Sequence, residues 1–265
     1  MPEKKINNVS IYYEFHGQEN APVLVLNNGI LMNAATSWVF QTPALSRRYR
    51  LLQYDCRGQG QSGRPDEKYT MEQHADDLAR LLEALDIPQA HIAGISYGGE
   101  VGQAFALQYP QKTRSLILAD TVSQVGAELE MVIASWIDAA KRGDGEAFFN
   151  ASVPWNFSPE FIAANPLLMA DAKKRYQDLD FEAVTRLCEC FLQVDFTGRL
   201  SEIRAPACIL YGQKDILKGC DYAQILKHGI PHAELHEISG AGHASCWERP
   251  QSFNTIVLGF LSKQA

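Results

Sequence analysis

The sequence predicts an α/β domain with a mostly parallel central sheet, helices on both faces of that sheet and an inserted helical segment. Three observations support this fold class. Strand and helix signals alternate along the first half of the chain, the connections between them are short, and the alternation stops for a long helical stretch before it resumes. With 265 residues, the chain is long enough for one large domain of this kind.

The strands of the first half appear as short apolar runs at residues 9–15, 23–27, 50–54, 91–95 and 115–119. The run at 23–27, VLVLN, is apolar throughout, which suits a strand buried on both faces. A helix begins after Thr70, because Thr70 and Gln73 fit a capping box and leucines follow at helical spacing. Pro88 lies just beyond the expected end of that helix. A second helix follows residue 96 and ends near residue 109.

No strand signal is found between residues 122 and 195. Helical segments are expected near 128–141, 146–151 and 181–194. We expect breakers to separate them, namely Gly143, Gly145, Pro154, Pro159 and Pro166. Strands resume at 207–211 and 234–238, before a final helix at 251–262. We therefore divide the chain into a core, residues 1–121 and 196–265, and a helical lid insertion, residues 122–195.

Composition and charge exclude several function classes. The net charge of −7 argues against a non-specific nucleic-acid binder, which needs a basic face. The chain carries no secretory-type apolar run near its start and no apolar stretch of the roughly 20 residues that a membrane helix needs, so a cytoplasmic location is expected. The six cysteines show neither a paired framework nor metal-type spacing, so we expect free thiols and no metal site.

Residues 94–98 read G-I-S-Y-G, a G-x-S-x-G motif that follows a buried strand and opens a helix. A sharp turn at this place lifts the Ser96 hydroxyl above the edge of the sheet. It also places the backbone N–H of Tyr97 at the start of the helix, where the helix dipole favours a developing oxyanion. The alternative is a tight turn in which Ser96 only caps the helix. In its context, the motif favours Ser96 as a nucleophile.

A serine nucleophile needs a base, and the base needs an acid to orient it. His243 lies in the glycine-framed loop GAGH, between the last strand signal and the last helix, which is the expected position for the base. Asp215 follows the strand 207–211 and is the favoured acid, which gives the chain order Ser96, Asp215, His243. Asp120, directly after the strand 115–119, is the rival acid.

A second oxyanion donor is expected from the loop that follows the strand 23–27. In the segment Asn28-Gly29-Ile30, the backbone N–H of Ile30 would join that of Tyr97. The same segment also serves as an ordinary strand-to-helix turn, and the two roles coexist.

Five segments in this order resemble the α/β-hydrolase superfamily: NNGI, the D-x-R-G-x-G-x-S turn at residues 55–62, GISYGG, YGQKD and GAGH. The resemblance spans nearly the whole chain and implies the α/β-hydrolase fold. The segments NNGILMN, YDCRGQGQS and LADTVSQVG are similar to those of 3-oxoadipate enol-lactonases, which hydrolyse a small anionic lactone. Such hydrolases usually carry His-Gly where this chain has Asn28-Gly29. The Asn-Gly loop and the insertion also resemble acyltransferase-like members that handle 3-hydroxyacyl chains.

The leading hypothesis is a serine hydrolase that acts on a small-molecule carboxylic ester, thioester or lactone through an acyl-enzyme, without a metal or an organic cofactor. Two alternatives remain open at this point. One is an acyltransferase that uses a 3-hydroxyacyl thioester. The other is a non-catalytic ligand-binding protein of the same fold. The sequence does not predict the substrate or the oligomeric state.

Overall fold

The computed structural model describes residues 2–264, and an eight-stranded sheet forms its centre. The order across the sheet is β1-β2-β4-β3-β5-β6-β7-β8. The two pairings made by β2, with β1 and with β4, are antiparallel, and all the others are parallel. This mostly parallel sheet confirms the predicted fold class. The strands are β1 (Glu3–Ile6), β2 (Val9–His16), β3 (Val23–Asn27), β4 (Arg50–Tyr54), β5 (Ala90–Ile95), β6 (Thr113–Ala119), β7 (Ala207–Gly212) and β8 (Glu234–Ile238).

Helices cover both faces of the sheet, and five of them lie between β6 and β7. They are α1 (Ala34–Ser37), α2 (Thr42–Leu45), α3 (Met71–Ala84), α4 (Tyr97–Gln108), α5 (Ala127–Lys141), α6 (Gly145–Asn156), α7 (Pro159–Ala164), α8 (Pro166–Tyr176), α9 (Phe181–Phe191), α10 (Cys220–Gly229), α11 (Ser245–Glu248) and α12 (Pro250–Leu261). Two 3-10 turns occur at Pro110–Lys112 and Thr197–Glu202.

The strands send alternate side chains to opposite faces of the sheet, which gives two buried apolar layers. In β3, Val25 joins the layer beneath α3 and α4. Leu24 and Leu26 join the layer beneath α12, which includes Phe253 and Phe260. The insertion packs on the first layer. Burial on both faces explains why the central strands are continuous apolar runs rather than alternating ones.

The start of α3 confirms the predicted capping box. The Thr70 hydroxyl accepts from the Gln73 N–H at 3.1 Å, and the Gln73 side chain accepts from the Thr70 N–H at 3.0 Å. These two bonds satisfy backbone donors that a helix start would otherwise leave unpaired.

The prolines of the insertion have a different role from the one expected. Pro159 and Pro166 are the first residues of α7 and α8, and Pro154 lies inside α6, so the expectation that they only separate helices was wrong. Proline suits the first helical position because its fixed φ is helical and it has no N–H that would be left unpaired there.

All six cysteines are free, and five of them are buried. Within residues 2–264, none of the helices combines the length and the apolar character needed to cross a membrane.

Two buried histidines make the stability of the fold depend on pH. Burial, together with the nearby Arg57, lowers the pKa of His74 to about 3, and burial with Arg114 lowers the pKa of His91 to about 4. A histidine in the unfolded chain titrates near pH 6.5. The unfolded state therefore binds more protons below that pH. The free energy of unfolding is therefore highest above pH 6.5 and falls as the pH is lowered. Each histidine lowers it by up to about 1.4 kcal/mol per pH unit, down to about pH 4.

Denaturant titrations at pH 7, 6 and 5 test this dependence through the free energy of unfolding. His91→Gln is expected to flatten the pH slope below 6.5 by about 1.4 kcal/mol per pH unit, because one of the two histidines is removed. The matched control is His228→Gln, since His228 is exposed on α10. An unchanged slope in His91→Gln would contradict the assignment.

Candidate active site

Ser96 lies on a sharp turn between β5 and α4, with φ 52° and ψ −122°. A positive φ is uncommon for a residue other than glycine and marks local backbone strain. The backbone at Gly94, before Ser96, and at Gly98, after it, lies close to other backbone segments. A Cβ at Gly94 would meet the Gly98 carbonyl, and one at Gly98 would meet the Asn27 carbonyl. Only glycine fits at both positions, which explains the G-x-S-x-G spacing.

The structure brings Ser96 together with the predicted base and acid. His243, in the loop between β8 and α11, has Nε2 at 2.9 Å from Ser96 Oγ. Its Nδ1 lies 2.9 Å from Asp215 Oδ2. All three side chains are buried. The arrangement is therefore a continuous hydrogen-bonded series from a carboxylate through an imidazole to a hydroxyl, which is the geometry of a Ser-His-Asp triad.

The loop after β7 holds the Asp215 carboxylate in a fixed orientation. Asp215 Oδ1 accepts from the backbone N–H groups of Leu217 and Lys218, both at 2.8 Å. The other oxygen is thereby directed to His243. Gly212 brings the acid loop and the histidine loop together, because a Cβ there would meet the Gly242 carbonyl.

Asp120, the rival acid, lies at the end of β6 and has different partners. Its Oδ1 accepts from the Gly212 N–H at 2.8 Å, and its Oδ2 accepts from the Ser245 hydroxyl. Burial raises the pKa of Asp120 well above its usual range, and the neighbouring Asp215 charge raises it further. Asp120 therefore ties the acid loop to α11, whereas Asp215 contacts the imidazole.

The two predicted oxyanion donors flank Ser96. Tyr97 is the first residue of α4, and Ile30 belongs to the loop after β3. A Cβ at Gly29 would lie 3.8 Å from the Ser96 Cβ, so this loop runs directly beside the nucleophile. Ile30, Ser96 and Tyr97 line one small cavity. The assignment of their N–H groups as oxyanion donors stays a prediction.

Asn28 fixes the loop that carries Ile30. Its Nδ2 donates to the Tyr54 carbonyl at 2.9 Å, and its Oδ1 accepts from the Trp38 indole at 3.1 Å. The side chain is fully buried. A buried asparagine with both ends satisfied holds a loop rigidly, so Asn28 provides the anchoring that this loop requires.

The turn at residues 55–62 holds the loop that carries Ile30 through hydrogen bonds of Asp55. Asp55 accepts from the backbone N–H groups of Ala34 at 2.7 Å and Gln61 at 2.8 Å. Arg57 makes a bidentate ion pair with Asp77 on α3. None of the turn's side chains lines the cavity at Ser96, so the turn acts as a structural support.

The cavity at Ser96 is largely apolar and has a volume of about 10 Å³, the space of roughly one water molecule. The insertion supplies much of its lining, through Ile133, Trp136, Asn156, Cys188 and Phe191. Leu217 and Lys218 come from the acid loop. A neighbouring cavity of about 220 Å³ shares Leu217 and is also lined by Asp215, Trp155 and Tyr222.

Lys218 and Glu100 form a buried ion pair beside Ser96 that the sequence interpretation missed. Lys218 Nζ lies 3.0 Å from Glu100 Oε1 and 3.3 Å from Ser96 Oγ, and the two residues are 3% and 0% exposed. The ammonium also lies 4.1 Å from the centre of the Phe191 ring, a cation–π distance. Glu100 lies four residues after Ser96, on α4, and Lys218 lies three residues after Asp215, but neither spacing indicates that the two side chains meet.

No group of three or more His, Cys, Asp or Glu side chains that could hold a metal ion is found within the described part of the chain. The donors near Ser96 are instead arranged in hydrogen-bonded pairs and chains.

Comparison with known proteins identifies the family. Residues 22–250 match the model of the alpha/beta hydrolase fold family, and the chain therefore belongs to that family. It is an enzyme of the hydrolase class, and its resemblance to enol-lactonases is confirmed. It is 30% identical to 3-oxoadipate enol-lactonase 2 of Acinetobacter baylyi, over 94% of this chain and 92% of that protein.

Other relatives carry related names. The chain is 29% identical to a putative carbamate hydrolase RutD of Azorhizobium caulinodans, over 98% of each protein. Among solved structures, the enol-lactonase of Burkholderia xenovorans matches with a TM-score of 0.92 at 28% identity, over 98% of this chain and 100% of that one. MGS-M2, an alpha/beta hydrolase enzyme from a deep-sea metagenome library, matches with a TM-score of 0.93 at 32% identity, over 98% and 97%.

Proposed function

We propose that this protein is a serine hydrolase that cleaves a carboxylic ester, thioester or lactone through an acyl-enzyme on Ser96. The observation that carries the proposal is the hydrogen-bonded series Asp215–His243–Ser96, with 2.9 Å at each contact of the imidazole. In an enzyme of this fold, such a series converts an unreactive hydroxyl into a nucleophile.

The chemistry follows from the geometry. Asp215 accepts a hydrogen bond from the Nδ1–H of His243, which leaves the unprotonated Nε2 to take the Ser96 proton as Oγ attacks the carbonyl carbon. The carbonyl oxygen becomes an oxyanion, and the N–H groups of Ile30 and Tyr97 stabilise it. His243 then protonates the leaving oxygen or sulfur as the bond to the acyl carbon breaks. Water, deprotonated by His243, attacks the acyl-enzyme, and His243 returns that proton to Ser96 Oγ as the bond to the acyl carbon breaks and the acid is released.

The names of the relatives support this substrate class. A lactone and a carbamate both present a carbonyl carbon bonded to a heteroatom leaving group, and relatives are named for each of the two. The cavity over Ser96 has a volume of about 10 Å³, so the side chains of the insertion that line it must move apart to admit a substrate.

We further propose that residues 122–195 act as a lid over the site. Ile133 and Trp136 of α5 and Phe191 of α9 line the cavity at Ser96 and are buried. Apolar side chains at this position exclude water from the reacting carbonyl, which strengthens the oxyanion hydrogen bonds.

Hydrolysis is tested with p-nitrophenyl acetate, a δ-lactone and a butanoyl thioester, with the Ser96→Ala protein as the blank for background reaction. With the ester and the thioester, we expect free acid to appear in equal amount to the leaving group, because water accepts the acyl group. The δ-lactone is expected to open to a single hydroxy acid. Release of the leaving group only after an alcohol acceptor is added would contradict hydrolysis and would instead indicate an acyltransferase.

A further inference from the structure

The Lys218 ammonium faces a pocket with mostly apolar walls. Ile30, Ile133, Trp136, Phe191 and Leu217 line that cavity together with Lys218. The cavity contains Ser96 but neither His243 nor Asp215. Because His243 must protonate the leaving group, the leaving group lies on the imidazole side. The acyl group therefore lies on the Lys218 side of Ser96, where the cavity of about 10 Å³ must widen to admit it.

The charge of Lys218 is already balanced. Glu100 Oε1 lies 3.0 Å from the ammonium and also accepts from the Val122 N–H at 3.1 Å. A substrate carboxylate in this cavity would add an uncompensated negative charge beside a buried neutral pair, which is costly. A neutral oxygen, hydroxyl or carbonyl, adds no charge and can accept a hydrogen bond from the ammonium.

Acylation changes what the ammonium can bind. In the free enzyme, Nζ lies 3.3 Å from Ser96 Oγ, which can accept from it. After attack, Oγ is an ester oxygen and a much weaker acceptor, so this donor needs another partner in a buried site. An oxygen on C2 of the acyl group, with the reacting carbonyl carbon as C1, is three bonds from Oγ. It can therefore lie about 3 Å from Oγ, within hydrogen-bond reach of the same ammonium.

Resting on the proposed acyl-enzyme function, we propose that Lys218 determines specificity by selecting acyl groups that carry a neutral hydroxyl or carbonyl oxygen on C2. The substrates are then esters or lactones of 2-hydroxy or 2-oxo acids. Glu100 is a positioning residue that neutralises the ammonium and so disfavours carboxylates.

The experiment compares kcat/KM for methyl 2-hydroxybutanoate, methyl 3-hydroxybutanoate, methyl butanoate and methyl hydrogen succinate, followed by acid release. The esters differ in intrinsic reactivity, so each kcat/KM is divided by the value that the same protein gives with methyl butanoate. The readout is the change in this ratio between the wild-type protein and a variant. In the double variant Lys218→Met with Glu100→Gln, we expect the 2-hydroxybutanoate ratio to fall by roughly tenfold to a hundredfold, the usual worth of a hydrogen bond to a charged donor. We expect the 3-hydroxybutanoate ratio to fall by less.

Glu100→Gln alone retains the ammonium but removes its counter-charge. We expect it to raise the succinate ratio by about tenfold, since the cavity then carries a net positive charge. If thermal unfolding shows that the double variant does not fold, the succinate ratio of Glu100→Gln still tests the proposal. The matched control is Lys214→Met, because Lys214 lies in the same loop but is exposed and pairs with Glu160. We expect all ratios to be unchanged in it.

Three results would overturn the proposal: equal ratios in the wild-type and double-variant proteins, a larger fall for the 3-hydroxy ester, or no rise for succinate in Glu100→Gln. Each leaves the proposed function intact as long as methyl butanoate is hydrolysed and Ser96→Ala abolishes that activity. Loss of the proposed function is recognised separately, as hydrolysis of methyl butanoate by the Ser96→Ala protein.

Discussion

Ser96→Ala is expected to lower kcat for p-nitrophenyl acetate by about 10⁵–10⁶-fold, the scale seen when a serine nucleophile is removed from a complete triad. The hydroxyl lies 2.9 Å from His243 Nε2 in a buried site, and no acyl-enzyme can form without it. Alanine fits the elbow without a clash, since only the Oγ atom is lost. Steady-state release of p-nitrophenolate, corrected for the uncatalysed rate, measures the effect.

Ser252→Ala is the matched control, because it removes an exposed hydroxyl from α12, and it is expected to retain wild-type kcat. Thermal unfolding of both variants shows whether the fold is retained. Activity of folded Ser96→Ala within tenfold of wild type would contradict the assignment of the nucleophile.

Asp215→Asn is expected to lower kcat by about 10⁴-fold, while the geometry of the loop is retained. The asparagine carbonyl oxygen still accepts the two backbone N–H groups at the Oδ1 position, so its NH₂ group faces His243 Nδ1. Nδ1 then has to accept, and the ring proton moves to Nε2. An imidazole in that tautomer cannot take the Ser96 proton. The pH-independent kcat with p-nitrophenyl acetate is the measurement.

Asp120→Asn separates the two candidate acids. Its oxygens face the Gly212 N–H and the Ser245 hydroxyl, and an asparagine serves both because a hydroxyl can also accept. We expect a decrease in kcat of less than about tenfold, since its partners lie outside the reacting atoms. A loss in Asp120→Asn as large as that in Asp215→Asn would mean that the acid has been assigned to the wrong residue.

Much of the fold could be predicted because the local sequence patterns, such as apolar runs and helix caps, match the burial of the same residues in the structure. The VLVLN run, the capping box at Thr70 and Gln73, and the break after residue 121 all have counterparts in the structure. The strand β1 was missed because EKKI is short, polar and at the edge of the sheet, where burial leaves no apolar pattern. The helices α7 and α8 were missed because Pro159 and Pro166 were taken as breakers rather than as first residues.

The candidate site also contains residues that the sequence predicts and residues that it does not. Ser96, Asp215 and His243 could be found because each lies in a turn with a recognisable glycine pattern at the end of a strand. Lys218 and Glu100 could not, since their pairing depends on the acid loop meeting the first turn of α4, which spacing along the chain does not encode. Burial of a lysine is unusual enough that the sequence favours a surface position by default.

We have proposed that Ser96 is a nucleophile activated by His243. Intact-mass analysis of the folded protein treated with a fluorophosphonate tests it most directly, because this reagent phosphonylates only an activated serine. We expect one adduct per chain, on the peptide that contains Ser96, and none on folded Ser96→Ala. An unlabelled wild-type protein, or equal labelling of Ser96→Ala, would contradict it.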